Sequence, residues 1–557
     1  MQEESFWVER MAVRDVLKSL DNHIKNTRHI MLWNFYFLLK IYLFVVGAIN
    51  LDIPLNLLLL LFILLPVGSR MLRSRWLMLL KTSVGVVLAI ILLWRDSWLP
   101  TMSDARSLIQ QHGMPSFEYT LSFIKGGISM SVVIFSVVFL LVSYLLRSYK
   151  RTSIVMMAVI ITVTPLVKGF ISPPSVSREG ELDVAEAAEK DPAKYLESFF
   201  AKESERTIVF KQPGAPAFDL VVLHLCSLSW DDMKEIGMSQ DDPFFKEFDY
   251  LFTNFNSATG YSGPAVIRLL QSNGGQRSHS DIHNSSSTPK EFFLFESLAS
   301  TGFERYIAMD HDGKYGNYNI ALKKNGLNSA KLIKHDGLSE TATFFDGKTP
   351  LYSDLEMFKK WLGVRSESKA ERAVLYFNTV KMHAGSHWVA EKKWSGRDPR
   401  DQFKELTTEV LKDMKKMIDL LKTSKRNTVF VLVSEHGRAL TGSPFQPPDM
   451  RDIPLPKITK VPMAVKLIGP KFNSAKVNQT VISKPTSYFA LSWMLSKFVE
   501  RSPFGATPDT PQDLAVKIPK TDFVAENETG KVVETGGVYH YYGKSKKWVA
   551  LTSEQLK

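Results

Sequence analysis

Among 557 residues there is one cysteine, Cys226. No intramolecular disulfide is available, so stability must come from core packing rather than from covalent staples. Internal repeats and low-complexity tracts are absent too, which excludes a repeat array and leaves ordinary globular organisation. Acidic residues fall short of basic ones, 57 against 69, for a formal charge of +12. A basic excess can serve nucleic acid. Here the cations flank apolar runs, which is the pattern of membrane topology and argues against a nucleic-acid partner.

Mean hydropathy is near zero because two unlike halves cancel. Apolar runs near the ~20 residues a bilayer requires fall at about 31–49, 51–68, 77–94, 127–146 and 154–171. Arg10, Arg14, Lys18, Lys25 and Arg28 precede the first run. Arg70, Arg73, Arg75 and Lys81 surround the second-to-third connection, and Arg147, Lys150 and Arg151 fill the fourth-to-fifth. The positive-inside bias then puts the N-terminus in the cytoplasm and everything after Phe170 on the far side. The charged, amphipathic stretch before Met31 is too long and polar for a cleavable signal peptide. The expected organisation is a cytoplasmic segment 1–30, a membrane domain 31–171 with five transmembrane helices, a linker 172–206 and an exported catalytic domain 207–557. In the linker, Ser172-Pro173-Pro174-Ser175 breaks the last span, and the charged, alanine-rich stretch after it reads as an exposed helix.

Within the exported part, Phe218–Cys226, Ala373–Asn378 and Val429–Val433 share one design: a continuous apolar run that ends in polar, reactive residues. Strands buried on both faces read this way in a parallel α/β sheet. Asp401–Leu421 has an amphipathic helical pattern, with Phe403, Leu406, Val410, Met414 and Ile418 on one face. A hairpin is expected around Gly536–Leu551. In open α/β sheets, sites lie at the carboxyl ends of the strands.

Those ends carry the chemistry. Ser434-Glu435-His436-Gly437 sets a carboxylate beside an imidazole at a strand mouth, a donor pair that suits zinc. The glycine after them permits a tight turn. Cys226 is either a small core hydrophobe or, at the end of its strand, a metal-bound thiolate. Ser262-Gly263-Pro264 opens a helical pattern. The serine is either a plain N-cap or a hydroxyl placed where free N–H groups favour phosphate oxygens, activated as a nucleophile by a bound metal. His383 and His387 lie in the loop after Asn378. His387 is the favoured proton donor or phosphate contact, and His383 is read as structural or as a support behind the site. Arg451, in the proline-rich stretch Ser443–Pro456, is either a surface charge or a guanidinium reaching a phosphoryl oxygen.

Strand-then-ligand, a serine opening a helix, a histidine loop and Ser-Glu-His-Gly, in this order, resemble the alkaline phosphatase superfamily. Within it the chain is similar to the membrane-anchored phosphoethanolamine transferases. Leu223–Asp232, Phe255–Leu270, Met309–Gly313, Ser434–Gly437 and Met450–Pro454 resemble most closely those acting on cellulose. That resemblance implies a helical membrane domain followed by an alkaline phosphatase-like α/β domain with a central, mostly parallel sheet flanked by helices. It implies one zinc ion on Cys226, Ser262, Glu435 and His436, with Tyr261, His387 and Arg451 lining a phosphoryl pocket. Lipid A-modifying members carry an acidic residue at the position of Cys226 and threonine at that of Ser262. They also have a further histidine near the position of Arg451, and its absence here is why a single zinc is expected.

The activity so implied is transfer of phosphoethanolamine from phosphatidylethanolamine to glucose 6-hydroxyls of cellulose through a phosphoethanolamine-serine intermediate. The site would be periplasmic, on the bacterial inner membrane beside the cellulose synthase complex. Alternatives are transfer to lipid A or another glycan, or an inactive membrane scaffold of the cellulose secretion complex. A sulfatase reading fails because Ser262-Gly-Pro-Ala-Val lacks the arginine of the usual Cys/Ser-x-Pro-x-Arg word.

Overall fold

The computed structural model describes residues 30–45, 49, 51–65, 75–97, 130–145, 157–159, 161–164, 191–389, 398–444, 446–473, 477–544 and 546–556. The chain divides into two compact units, one built mainly from the helices before residue 165 and the other from residue 191 onward.

In the first unit, helices cover Ile30–Val45, Ile53–Leu64, Arg75–Asp96 and Met130–Leu145. Leu61, Ile90, Ile91, Val137 and Leu141 on them are exposed, whereas the interior holds the Lys40–Asp96 ion pair at 2.8 Å. Among the described residues no helix is both long and apolar enough to cross a membrane. The expected spans run past these helices, and the fifth span, the cytoplasmic segment 1–29 and the linker up to residue 190 lie mostly outside the described residues.

The second unit carries every site residue singled out from the sequence. Its strands are β1 (Asp219–Leu225), β2 (Tyr250–Asn256), β3 (Phe303–Met309), β4 (Lys331–Leu332), β5 (Glu340–Thr343), β6 (Pro350–Tyr352), β7 (Arg372–Thr379), β8 (His387–Trp388), β9 (Thr428–Ser434), β10 (Lys460–Ile468), β11 (Thr480–Ile482), β12 (Val524–Glu526), β13 (Lys531–Thr535), β14 (Val538–Tyr542) and β15 (Trp548–Ala550). Eight of them form the central sheet in the order β11-β2-β10-β9-β1-β7-β3-β4. All neighbours are parallel except β10, which runs antiparallel to β2 and β9. The sheet is therefore mixed, and its parallel middle, β9-β1-β7, is the set of three strands expected from the sequence.

Alternation sends successive side chains to opposite faces. Leu220, Val222, Tyr376, Val431 and Val433 pack on one side with the Ser262–Leu270 and Tyr488–Glu500 helices. Val221, Leu223, Leu375, Phe430 and Leu432 pack on the other with the Asp354–Glu367 and Pro399–Thr423 helices. Burying each such side chain stabilises by ~1.5–3 kcal/mol, which is how the domain holds together with one thiol. The Pro399–Thr423 helix starts where proline at its first turn and the Asp398 side chain, accepting from Arg400 N, permit it. At the floor of the sheet, Asp219 takes a bidentate pair from Arg365 (3.0 and 2.8 Å), Arg426 Nε (2.8 Å) and Ala373 N (3.0 Å).

Two sequence expectations change. The linker helix forms at Pro192–Ser204, but it is not simply exposed, since Leu196 and Phe199 pack against Val524 and Val533. The C-terminal hairpin, turning at Gly536 and Gly537 with φ of +59° and +77°, is part of a four-stranded antiparallel sheet β12-β13-β14-β15.

Candidate metal centre

Parallel register between β1 and β9 pairs Leu225 with Ser434, so the residues that follow, Cys226 and Glu435, leave the sheet side by side. Glu435 N donates to Leu225 O and Leu228 N to His436 O, both 2.8 Å, which locks the two strand ends together. The chain can turn after His436 only because residue 437 is glycine: a Cβ there would lie 2.5 Å from Ser229 Oγ and 2.6 Å from Asp232 Oδ2.

The third element arrives from β2. After Asn256 the chain makes a short loop, and Ser262 is the first residue of the next helix, with Tyr261 as the N-cap making no side-chain cap bond. Ser262 is thus not a capping serine. Its Oγ lies 3.1 Å from His436 Nε2 and 3.5 Å from Cys226 Sγ. Cys226 Sγ and His436 Nε2 are 3.9 Å apart, as are His436 Nε2 and Glu435 Oε2. The donors of Cys226, Glu435 and His436 all lie within 4.8 Å of one another, and all three residues are buried.

These donors fit zinc. Bonds of ~2.0–2.3 Å at tetrahedral angles set neighbouring donors ~3.3–3.7 Å apart, near the distances found. His436 Nδ1 is 2.8 Å from Gly437 O. A proton there makes that contact a hydrogen bond and leaves the Nε2 lone pair facing the cluster. Glu435 Oε1 accepts from Asn378 Nδ2 (2.8 Å) and Tyr318 OH (3.1 Å), whereas Oε2 is buried with no hydrogen-bond partner among the described residues. Burial, and then the Glu435 charge, pushes the Cys226 thiol up to about 12. Burial also raises the Glu435 carboxyl and holds His436 well below its usual range. A buried carboxylate oxygen without a donor, beside a thiol that cannot ionise alone, is what a divalent cation resolves.

Arg451 is 6% exposed, so it is not a surface charge. Its Nε donates to Gly260 O at 3.0 Å, its guanidinium lies 5.5 Å from the Tyr261 ring centroid, and its charge is felt at Cys226 and His436. Tyr261 OH donates to Asp452 Oδ1 at 2.6 Å. The two loop histidines sit in different surroundings. His383 is buried, packs on Phe344 and Phe345, and acts electrostatically on His436. His387 is half-buried on β8 with Nδ1 3.3 Å from Gly385 O, and residues 390–397, which follow, are outside the described residues.

Sequence reading missed the residues that hold these groups in place. Asn527 Oδ1 accepts from Thr259 Oγ1 (2.8 Å) and Gly260 N (2.9 Å), while its Nδ2 donates to Arg451 O (2.7 Å). One amide side chain therefore ties the Ser262 loop to the Arg451 loop. Behind Glu435 stand Tyr318, Tyr376, His224 and Tyr488: the two nearer hydroxyls meet at 2.5 Å, and His224 meets Tyr376 and Tyr488 at 3.1 and 3.2 Å. His224 and Asn378 were visible in the sequence as polar residues inside apolar strands, a signal of a buried hydrogen-bonded network.

Fold and site together define an α/β domain with a buried thiol–carboxylate–imidazole–hydroxyl cluster at the carboxyl ends of a largely parallel sheet. The family model of the cellulose biosynthesis protein BcsG C-terminal domain matches residues 177–548, and that of its N-terminal domain matches residues 33–165. The chain belongs to this BcsG family. It is 30% identical over 550 residues to cellulose biosynthesis protein BcsG of Salmonella typhimurium, covering 93% of this chain and 95% of the relative. To the Escherichia coli protein of the same description it is 29% identical over 540 residues, covering 90% and 92%. Among solved structures, a protein in the alkaline phosphatase superfamily from Vibrio parahaemolyticus matches at a TM-score of 0.45 and 13% identity, over 67% of this chain and 88% of that one.

Proposed function

We propose that the chain is a zinc-dependent phosphoethanolamine transferase that moves phosphoethanolamine from phosphatidylethanolamine to glucose 6-hydroxyls of cellulose, from a periplasmic domain anchored in the inner membrane. The observation that carries the reaction class is the Ser262 hydroxyl, at a helix start, within 3.1 Å of His436 Nε2 and 3.5 Å of Cys226 Sγ. Family membership supports the cellulose context, and the sequence resemblance supports the phosphoethanolamine group.

In this reading Cys226, Ser262, Glu435 and His436 hold the metal. When bound, zinc would lower the pKa of the serine hydroxyl and offset charge on the phosphoryl oxygens. Ser262 Oγ, its proton already lost to solvent, attacks phosphorus as the bond to the glycerol oxygen breaks. His387 gives the departing diacylglycerol oxygen its proton. A sugar hydroxyl then attacks the same phosphorus and loses its proton to His387, and the bond to Ser262 Oγ breaks, regenerating the serine. The free N–H groups of the Ser262–Leu270 helix face the nonbridging oxygens, and Arg451 adds a fixed positive charge. Asn527, by joining the loops of Ser262 and Arg451, sets the distance between nucleophile and charge. Membrane anchorage raises the local concentration of the lipid donor.

The test is intact-mass measurement on the purified full-length chain after incubation with zinc and a phosphatidylethanolamine analogue, beside Ser262→Ala. A mass gain of one phosphoethanolamine unit on the wild type alone supports the reading, with turnover in Ser262→Ala reduced ~10³-fold or more. Release of the analogue's leaving group without an adduct on any residue points instead to hydrolysis. Parallel assays of His387→Gln and His383→Gln decide which histidine carries the proton.

A further inference from the structure

Six residues beyond Ser262, ~9 Å along the helix, Arg268 faces a different opening. There a cleft of about 320 Å³, counting its open mouth, is lined by Arg268, Ser272, Gln276, Arg277, Ser487 and Tyr488. Its enclosed part is small.

Arg268 is 5% exposed. Its Nη1 donates to Arg277 O at 2.8 Å, but Nε and Nη2 have no partner among the described residues. Those two nitrogens form the side-on fork that matches two oxygens of a phosphate or carboxylate. Burial lowers this guanidinium to about 10, partly offset by the charge of Glu526, so it stays protonated at neutral pH. A buried cation with two unsatisfied donors is costly, and an oxyanion or a water beside them relieves it.

A second, independent feature points the same way. The Tyr488–Glu500 helix, 13 residues long, begins at this cleft, and its N-cap, Ser487, makes no side-chain cap bond. The positive end of the helix dipole therefore faces the same space as the fork. Ser272 Oγ offers a further unpartnered hydroxyl, and Gln276 Oε1 is an unpartnered acceptor. One acceptor among donors suits an oxyanion that keeps one O–H, as monohydrogen phosphate does.

We infer that this cleft binds a small phosphate-class oxyanion, held side-on by the Arg268 fork against the N-terminus of the Tyr488–Glu500 helix and separate from the Cys226 cluster. The site is not isolated from the cluster. Tyr488 OH lies 3.2 Å from His224 Nε2, and His224 Nδ1 lies 3.5 Å from Glu435 Oε1. An occupant thus touches Tyr488, which stands two contacts away from the Glu435 carboxylate, through His224.

The test is equilibrium dialysis of radiolabelled inorganic phosphate against the full-length chain in detergent, in a His436→Ala background that disables the metal centre as a competing phosphate site. Saturable binding of one phosphate is expected, with acetate competing more weakly because it lacks the O–H. Arg268→Lys, which keeps the charge but loses the fork, should weaken binding about tenfold or more. Ser487→Asp, which leaves Arg268 in place and brings a carboxylate to the helix cap, should abolish it. No saturable binding in the His436→Ala protein, or binding that neither substitution changes, overturns the inference. Phosphate retained only when His436 is present assigns it to the metal centre and overturns it equally.

Discussion

Asn378 illustrates how much one side chain decides. Its Nδ2 donates to both Glu435 Oε1 and His224 O at 2.8 Å, and its Oδ1 meets His311 Nε2 at 2.8 Å. Asn378→Ala removes the donor that leaves Oε2 as the free oxygen of Glu435. Supports of this kind are worth roughly 10–100-fold in metal affinity. Competition against a zinc-selective chelator should show a loss of that size, with the fold intact by circular dichroism; unchanged affinity would remove Asn378 from the account. At the opposite end of the sheet, Asp219 satisfies two guanidiniums and a backbone N–H, with Arg365 and Asp219 only 2% and 3% exposed in their side chains. Asp219→Ala leaves Arg365 buried and uncompensated, so urea denaturation should show a loss of ~3–5 kcal/mol.

Among elements, glycine positions separate packing from mere flexibility. Gly437→Ala drives a methyl into Ser229 and Asp232. Because Asp232 Oδ2 also accepts from Arg438 N at 2.6 Å, the clash cannot relax without breaking the turn, and both melting temperature and zinc content should fall. Gly263, one residue into the Ser262–Leu270 helix, would have nothing described within 4 Å of an added Cβ. Gly263→Ala should hold stability level or raise it by up to ~1 kcal/mol.

The ends of β3 and β7 and the start of the Asp354–Glu367 helix share another device. Lys381 Nζ lies 3.2 Å from Asp354 Oδ2, while Asp310 accepts from Val380 N and Thr379 Oγ1. Burial raises Asp310 to about 6 and Asp354 to about 7, with Lys381 opposing both. A carboxyl whose folded pKa exceeds the unfolded value of ~4 holds its proton more tightly when folded. Its stabilisation is therefore present in acid and lost as pH rises through about 6 to 7, at up to ~1.4 kcal/mol per pH unit per proton. Denaturant midpoints at about pH 5 and about pH 8 should differ more for wild type than for Asp354→Asn; parallel curves would sink the assignment.

What the sequence made legible follows from what was strongly patterned. The parallel strands β1, β7 and β9 are long, apolar and buried on both faces, so their ends, with Cys226 and Glu435-His436, could be placed beforehand. The helix of Phe403 and Met414 was equally plain from its amphipathic stripe. Strand β10, Lys460–Ile468, was not, because Pro462 and two lysines interrupt it, and its antiparallel place in the sheet depends on partners far away in the chain. Asn527 was beyond reach for the same reason: an asparagine in a turn says nothing of a contact with Gly260, 267 residues earlier.

At the scale of the molecule, the cluster joins elements from three stretches of the second unit, so metal binding and folding there should be linked. Chelation should lower the melting temperature of that unit, since a ligand at 100 times its dissociation constant contributes ~2.7 kcal/mol. Re-adding zinc should restore it, and Ser262→Ala, which keeps three donors, should show a smaller recovery. An unchanged melting curve on chelation would speak against a resident ion.

Among the described residues, strand β2, which delivers Ser262, pairs only with β10 and β11, so its docking waits for residues made roughly two hundred positions later. A chain emerging from its N-terminal end completes β1, β7 and β9 first and gathers Cys226, Glu435 and His436 before the serine can join them. The serine is the last member of the cluster to be fixed, and a partly made chain holds three donors without the fourth.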